Sequence, residues 1–257
     1  MSGFPEVDDI RLQRAPLAEV IAQVRFPPIL RIADERPVEF QEKIRGRFPQ
    51  WAEEEQVLIA SGPAEQQFNV KKVPSIFRFQ SADAKNTVSL ALDFYALSTT
   101  DYAHWKDFWA ELRRLQDAVQ TVYAPSYATR LGLRYVNQFT MSNSGVPSVE
   151  ELMTLLRPEL MTLLRDKPWT LPLELLTQLV LEGEKAPEKL ALRIGFKQHV
   201  PEPFILLDLD YFVEGSISFE QLEDFYQRAH DLIYRAFRWA IREDKLVLFE
   251  PLPVEEV

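Results

Sequence analysis

A chain of 257 residues, 46% hydrophobic and 12% aromatic, has ample apolar side chain for a packed core, and it is neither disordered nor fibrous. It has no cysteine, which excludes disulfides, thiolate metal sites and a cysteine nucleophile, and suits a reducing compartment. A formal net charge of −10 opposes broad affinity for nucleic acid or anionic lipid, although a local basic face stays open.

Residues 1–16 read as an N-terminal extension with no apolar segment behind a basic start, so no secretory signal is expected. No apolar run approaches the roughly 20 residues that span a bilayer, and the expected location is the cytoplasm. LAEVIAQVRF at 17–26 alternates as a strand does, and Pro37 is placed to start a short helix over PVEFQEKIRGRF. Strands are expected at about 56–60, 66–80 and 87–96. A long amphipathic helix follows. In it Tyr102, Trp105, Phe108, Trp109, Leu112, Leu115, Val119 and Val122 recur at three- and four-residue spacing, with Asp101 as the expected cap.

Past Ala124-Pro125-Ser126 the pattern begins again. RLGLRYVNQF at 130–139 alternates as a strand, Ser148 and Glu151 form a capping box, and Pro158 should kink or split the helix they open. Strands are expected at about 170–182, 188–199 and 204–213, the last two turning near HVPEP. Ser218 and Gln221 form a capping box for a second long helix, where Phe219, Leu222, Phe225, Tyr226, Ala229, Leu232, Ile233 and Phe237 keep helical spacing. An acidic tail, 251–257, closes the chain.

A shift of 117 lays Asp93 on Asp210, Trp105 on Leu222, Phe108 on Phe225 and Trp109 on Tyr226. The expected fold is therefore α+β, with a β-α-β-β-β-α unit duplicated at 17–124 and 125–250 and fused into one domain. The two copies would form a curved antiparallel sheet of about eight strands with both long helices on one face. A saddle like that of the TATA-binding protein, or a helix-grip barrel, is the nearest architecture, and neither carries a function by itself.

Chemistry is harder to read. With eight glycines against 18 prolines there is no GxGxxG, GxxxxGK[ST] or GxSxG, so phosphate-cradling loops and a nucleophile elbow are absent from the sequence. Asp101, His104 and Asp107 sit at three-residue spacing and could face one side of a helix as metal ligands, or simply be solvated. His230 reads as an ordinary hydrogen-bonded histidine, and His199 as part of a turn.

Strand parity groups more charge. Asp93, Asp208 and Asp210 are expected on one sheet face with Glu19, Gln23 and Arg25; Arg130, Arg134 and Gln138; and Arg193, Lys197 and His199. Such a face is either a structural ladder of opposite charges or a binding surface. If a ligand binds, Arg130, Arg134, Arg25, Asp93, Asp208 and Asp210 are the residues expected to hold it. Asn137 falls on the opposite parity and should be buried and bonded to backbone.

PLAEVIAQVRFPP (16–28), RLGLRYVNQF (130–139) and FYQRAHDLIYRAFRWAI (225–241) resemble a bacterial family of uncharacterised proteins of about this length, named for its sporadic distribution among genomes. The resemblance implies no reaction and no catalytic residues. Its patchy distribution suggests mobile accessory or phage-defence loci. The leading expectation is a non-catalytic binding or scaffolding protein that recognises a protein partner or a small anionic ligand, with no cofactor and no metal. Its alternatives are an enzyme acting on a phosphorylated or nucleotide-like substrate through strand carboxylates, and a nucleic-acid-binding module.

Overall fold

The computed structural model describes residues 3–8, 10–60, 69–165, 174–198 and 200–253. In chain order the strands are β1 (Ile10–Leu12), β2 (Leu17–Arg25), β3 (Gln50–Ala60), β4 (Asn69–Gln80), β5 (Asn86–Ala91), β6 (Phe94–Thr99), β7 (Ala128–Thr140), β8 (Glu174–Glu182), β9 (Lys189–Lys197), β10 (Phe204–Ile217) and β11 (Pro251–Pro253). The α-helices are α1 (Leu30–Asp34), α2 (Val38–Ile44), α3 (Trp105–Tyr123), α4 (Met141–Ser144), α5 (Val149–Leu152), α6 (Thr162–Arg165) and α7 (Leu222–Ala240). The protein is α+β, and its described residues form a large antiparallel sheet of nine strands and a two-stranded sheet of β1 and β11. Among the described residues no helix is long and apolar enough to cross a membrane.

The chain divides into two compact units. One comprises Met1–Val20, Gly132–Val213 and Glu223–Val257, and the other comprises Ile21–Leu131 and Glu214–Leu222. In the Ile21–Leu131 unit the strands run in the order β3-β4-β5-β6-β2, so the first strand lies beside the last. Here α3 buries Phe108, Leu112, Leu115 and Val119 of the expected stripe together with Ala118, while Tyr102, Trp105, Trp109 and Val122 are half-buried. Each fully buried leucine or phenylalanine of that stripe contributes roughly 1.5–3 kcal/mol. Phe40 of α2 meets Phe79 of β4 edge to face, with ring centres 5.5 Å apart.

The other unit orders its strands β7-β10-β9-β8, again with first beside last. β7 buries Leu131, Leu133, Tyr135, Asn137 and Phe139, and β10 buries Ile205, Leu207, Leu209 and Tyr211 on the same alternation. From α7, Leu232, Ile233 and Ala236 are buried and Phe225 packs 5.7 Å from Tyr211. A 3₁₀ turn at Phe219–Gln221 leads into α7 through the expected capping box, in which the Ser218 and Gln221 side chains each bond the other residue's backbone N–H.

Several expectations are corrected. The single strand at 87–96 is two strands, β5 and β6, joined by the two-residue turn Leu92-Asp93. Neither turn residue takes positive φ, and neither is one of the glycines or asparagines that usually announce such a turn. That extra strand is why nine strands form where about eight are expected. His104 and not Asp101 holds the N-cap position of α3, whose first helical residue is Trp105, and the His104 side chain makes no capping bond. The helix opened by Ser148 lasts only four residues, and Pro158 then starts a separate 3₁₀ turn. Finally, Ile10–Leu12 from the N-terminal extension pairs with Pro251–Pro253 at the start of the acidic tail, in register Ile10↔Pro253.

Candidate functional site

Strand register assembles the principal charge cluster. In β8, β9 and β10 the residues Gln178, Arg193 and Asp208 stand directly opposite one another. Arg193 donates Nε–H to Gln178 Oε1 at 2.7 Å and Nη1–H to Asp208 Oδ2 at 3.1 Å. Arg134 of β7 reaches the same carboxylate with two parallel bonds, Nε to Oδ1 at 2.7 Å and Nη2 to Oδ2 at 2.8 Å. Arg193 Nη2 also lies 3.9 Å from Asp210 Oδ2. Asp208 is 1% exposed, so three charge-assisted bonds replace its lost hydration. The hydrogen bonds that Arg134 donates to Asp208 outweigh burial and hold the Arg134 guanidinium pKa above its ordinary value, with the charges of Asp208, Asp210 and Glu19 adding to the effect.

Arg134, Asp208 and Asp210 are thus brought together, joined by Arg193. Two cations face two anions, and the carboxylate at the centre accepts three of the roughly four hydrogen bonds open to it, two on Oδ2 and one on Oδ1. Two guanidinium charges on one buried carboxylate favour its ionised form and oppose its taking up a proton. The remaining predicted residues stand elsewhere. Arg130 Nη1 donates to Gln23 Oε1 at 3.3 Å, and the Arg25 guanidinium lies 5.9 Å from the centre of the Phe94 ring. Asp93 leaves the set of strand carboxylates altogether, since it occupies the β5–β6 turn, where its carbonyl accepts the Phe26 N–H at 2.9 Å. Asn137 is buried and donates to the Leu207 carbonyl at 3.1 Å, as its parity predicts. His199 lies outside the described residues.

A groove of about 440 Å³ opens in the Ile21–Leu131 unit, lined among others by Arg47, Asp101, His104, Asp107 and Glu111. Three of these residues are in ion pairs: Asp101 pairs with Lys85 at 2.7 Å, and Glu111 with Arg47 at 2.6 Å and with Arg114 at 3.1 Å. Asp101 and His104 precede α3, so with Asp107 they do not share a helix face. Among the described residues no three His, Asp or Glu side chains are grouped to hold a metal ion.

In the other unit His230 and Glu188 carry further polar contacts. Tyr135 Oη lies 2.9 Å from Nδ1 of His230, whose pKa burial lowers to about 4. Glu188, which the sequence does not single out, is buried and receives the Tyr211 hydroxyl at 2.5 Å and Arg228 Nη2 at 2.6 Å. Burial, followed by the Glu188 contact, raises the Tyr211 pKa.

β8 falls within the strand expected at about 170–182, and what sequence reading passed over is its place at the end of the strand order. The strand lies beyond β9, yet Leu176, Leu179, Val180 and Leu181 are 62%, 53%, 53% and 39% exposed. Even-numbered Leu176 and Val180 lie on one face, and odd-numbered Leu179 and Leu181 on the other. ELLTQLVLE carries apolar residues on both parities, as an internal strand would, so its sequence does not mark it as an edge. An edge strand of that composition also presents backbone N–H and C=O groups to any strand that can pair with it. No protein-family model matches the chain, and comparison with curated proteins finds no match.

Proposed function

We propose that this is a non-catalytic binding or scaffolding protein whose partner adds a strand to the edge of β8. The observation that carries this reading is the exposure of Leu176, Leu179, Val180 and Leu181 on a nine-residue edge strand. Soluble proteins usually blunt such an edge with charge, proline or a covering element, so an apolar one calls for an interaction. Main-chain pairing with pockets for alternate side chains is a recurrent mode of peptide capture. The enzyme alternative is less favoured, since Asp208 is held by two arginines and Asp93 lies in a turn.

The proposal includes the duplication. α3 and α7 are both 19 residues long, and one shift of 117 carries Trp105 onto Leu222 and Tyr123 onto Ala240. Each unit also sets its first strand beside its last, β2 by β6 and β7 by β10. These correspondences support two copies of one ancestral unit, of which the later copy supplies the binding edge. A saddle with both long helices on one face, in a cytoplasmic protein of the sporadically distributed family, is the larger reading to which they belong.

The test is selection of linear twelve-residue peptides from a displayed library, then amide hydrogen exchange of the protein with a selected peptide. The expected result is protection across Glu174–Glu182, with binding lost in the Leu176→Lys/Val180→Lys variant at unchanged melting temperature. Peptides that protect Arg134 and Arg193 instead, and that survive the double substitution, would transfer the site to the charge cluster.

A further inference from the structure

The chemistry of β8 narrows the partner. Resting on the reading of β8 as a binding edge, we infer that its occupant is an extended segment with a basic residue at each end and an apolar middle. The argument is charge complementarity, and the protein supplies its own template. β8 is ELLTQLVLE and its neighbour β9 is KLALRIGFK. Their register sets Glu174 opposite Lys197, Gln178 opposite Arg193 and Glu182 opposite Lys189. All three pairs share one face, because the positions differ by even counts. A strand on the side of β8 where no strand of the described residues pairs meets the same acid–amide–acid series on that face.

Glu174 is 70% exposed, and Lys197 touches it only at 4.0 Å, so its carboxylate has room for a second cation. Glu182 is likewise exposed. Between the two acids, Leu176 and Val180 on one face, with Leu179 and Leu181 on the other, want apolar contact on both sides of the incoming strand. The pattern is nearly palindromic, so charge favours neither strand direction, and only the basic ends and the apolar centre are specified.

A second copy of this chain fits less well. Antiparallel pairing of two β8 strands centred on Gln178 sets Glu174 of one copy against Glu182 of the other at both ends, and like charges directly opposite are destabilising. The net charge of −10 adds general repulsion.

Two fluorescent nonapeptides decide the matter: KLALRIGFK, with the sequence of β9, and ELALRIGFE, the same peptide with only its two end lysines replaced by glutamate. Fluorescence anisotropy with the full chain should show the basic peptide binding about tenfold more tightly or better, since opposite-charge pairs give way to like-charge pairs at both ends. Hydrogen exchange should place it on β8. The Glu174→Lys/Glu182→Lys variant should reverse the preference, and Glu174→Gln/Glu182→Gln should bring it close to unity. Equal affinity for both peptides, with β8 protected by each, overturns the charge inference and leaves the partner reading standing. Protection of β8 by neither peptide overturns the inference, and with no library peptide on β8 the broader reading falls as well. A stable dimer in sedimentation that dissociates in Leu176→Lys/Val180→Lys assigns the edge to a second copy and overturns the inference too.

Discussion

Arg134 holds Asp208 through two parallel hydrogen bonds, Nε to Oδ1 at 2.7 Å and Nη2 to Oδ2 at 2.8 Å, while Arg193 shares Oδ2 at 3.1 Å. The three members are not equivalent. Losing Arg134 leaves the buried carboxylate still paired with Arg193, whereas losing the carboxylate leaves two guanidinium groups facing a void. Asp208→Ala is therefore expected to cost about 3 kcal/mol. Arg134→Met, at a partly exposed side chain, should cost about 1 kcal/mol. Urea denaturation of both variants measures the difference, and equal losses would refute the asymmetry.

That ladder also shows where sequence reading stopped. Parity placed Arg134, Asp208 and Arg193 on one face, because side-chain alternation is local to each strand. It could not say that Arg193 stands opposite Asp208 and Gln178, since register arises from pairing between strands. Asp93 was misplaced for a related reason: Leu92-Asp93 turns the chain without glycine, asparagine or proline to mark it. The long helices were legible because their apolar stripes repeat over 19 residues. β1 and β11 were not, because each is three residues long and gains order only from its distant partner. The edge status of β8 follows from strand order, which no single strand encodes.

His230 makes stability pH-dependent. Its folded pKa is near 4 against an ordinary 6.5, and Tyr135 bonds its neutral ring. Between those values the unfolded chain binds a proton that the folded chain refuses, so stability falls as pH drops from 6.5 towards 4. The loss attributable to this residue approaches about 3 kcal/mol at the lower limit. Carboxylates add their own slope below about pH 5, so the useful comparison is with His230→Gln. That variant should show a flatter profile between pH 6.5 and 5, and identical profiles would remove His230 from the account.

Gly183 is fixed by contact. A Cβ there would stand 2.7 Å from the Tyr211 hydroxyl and 2.8 Å from the Glu188 carbonyl oxygen, the second of which is backbone and cannot swing away. The Gly183 N–H also donates to that same carbonyl at 2.7 Å, so the β8–β9 connection cannot loosen without losing the bond. Gly183→Ala is expected to destabilise by roughly 2–3 kcal/mol, in the range of other overpacked positions. Thermal melting checks it, at about 2–4 °C per kcal/mol for a chain of this size. A melting temperature within a degree of the parent would mean that the loop relaxes freely.

Ala124 offers the opposite sign. It ends α3 at φ +45°, in the left-handed region, where its N–H bonds the Val119 carbonyl at 3.3 Å. Helices commonly stop on a residue of this conformation, and glycine is preferred because a Cβ costs about 1–2 kcal/mol there. The chain has only eight glycines, and this helix end is not among them. Ala124→Gly relieves the clash but gives the unfolded chain more freedom, which takes back about 0.4–1 kcal/mol. The net expectation is a gain of about 0.5–1 kcal/mol, read as a higher urea midpoint at unchanged slope. Ala84, at φ +58° in the β4–β5 turn, should respond in the same direction, whereas Ala118, buried inside α3, should lose stability on the same change. If all three glycine variants are destabilised alike, backbone freedom outweighs the left-handed strain and the argument fails.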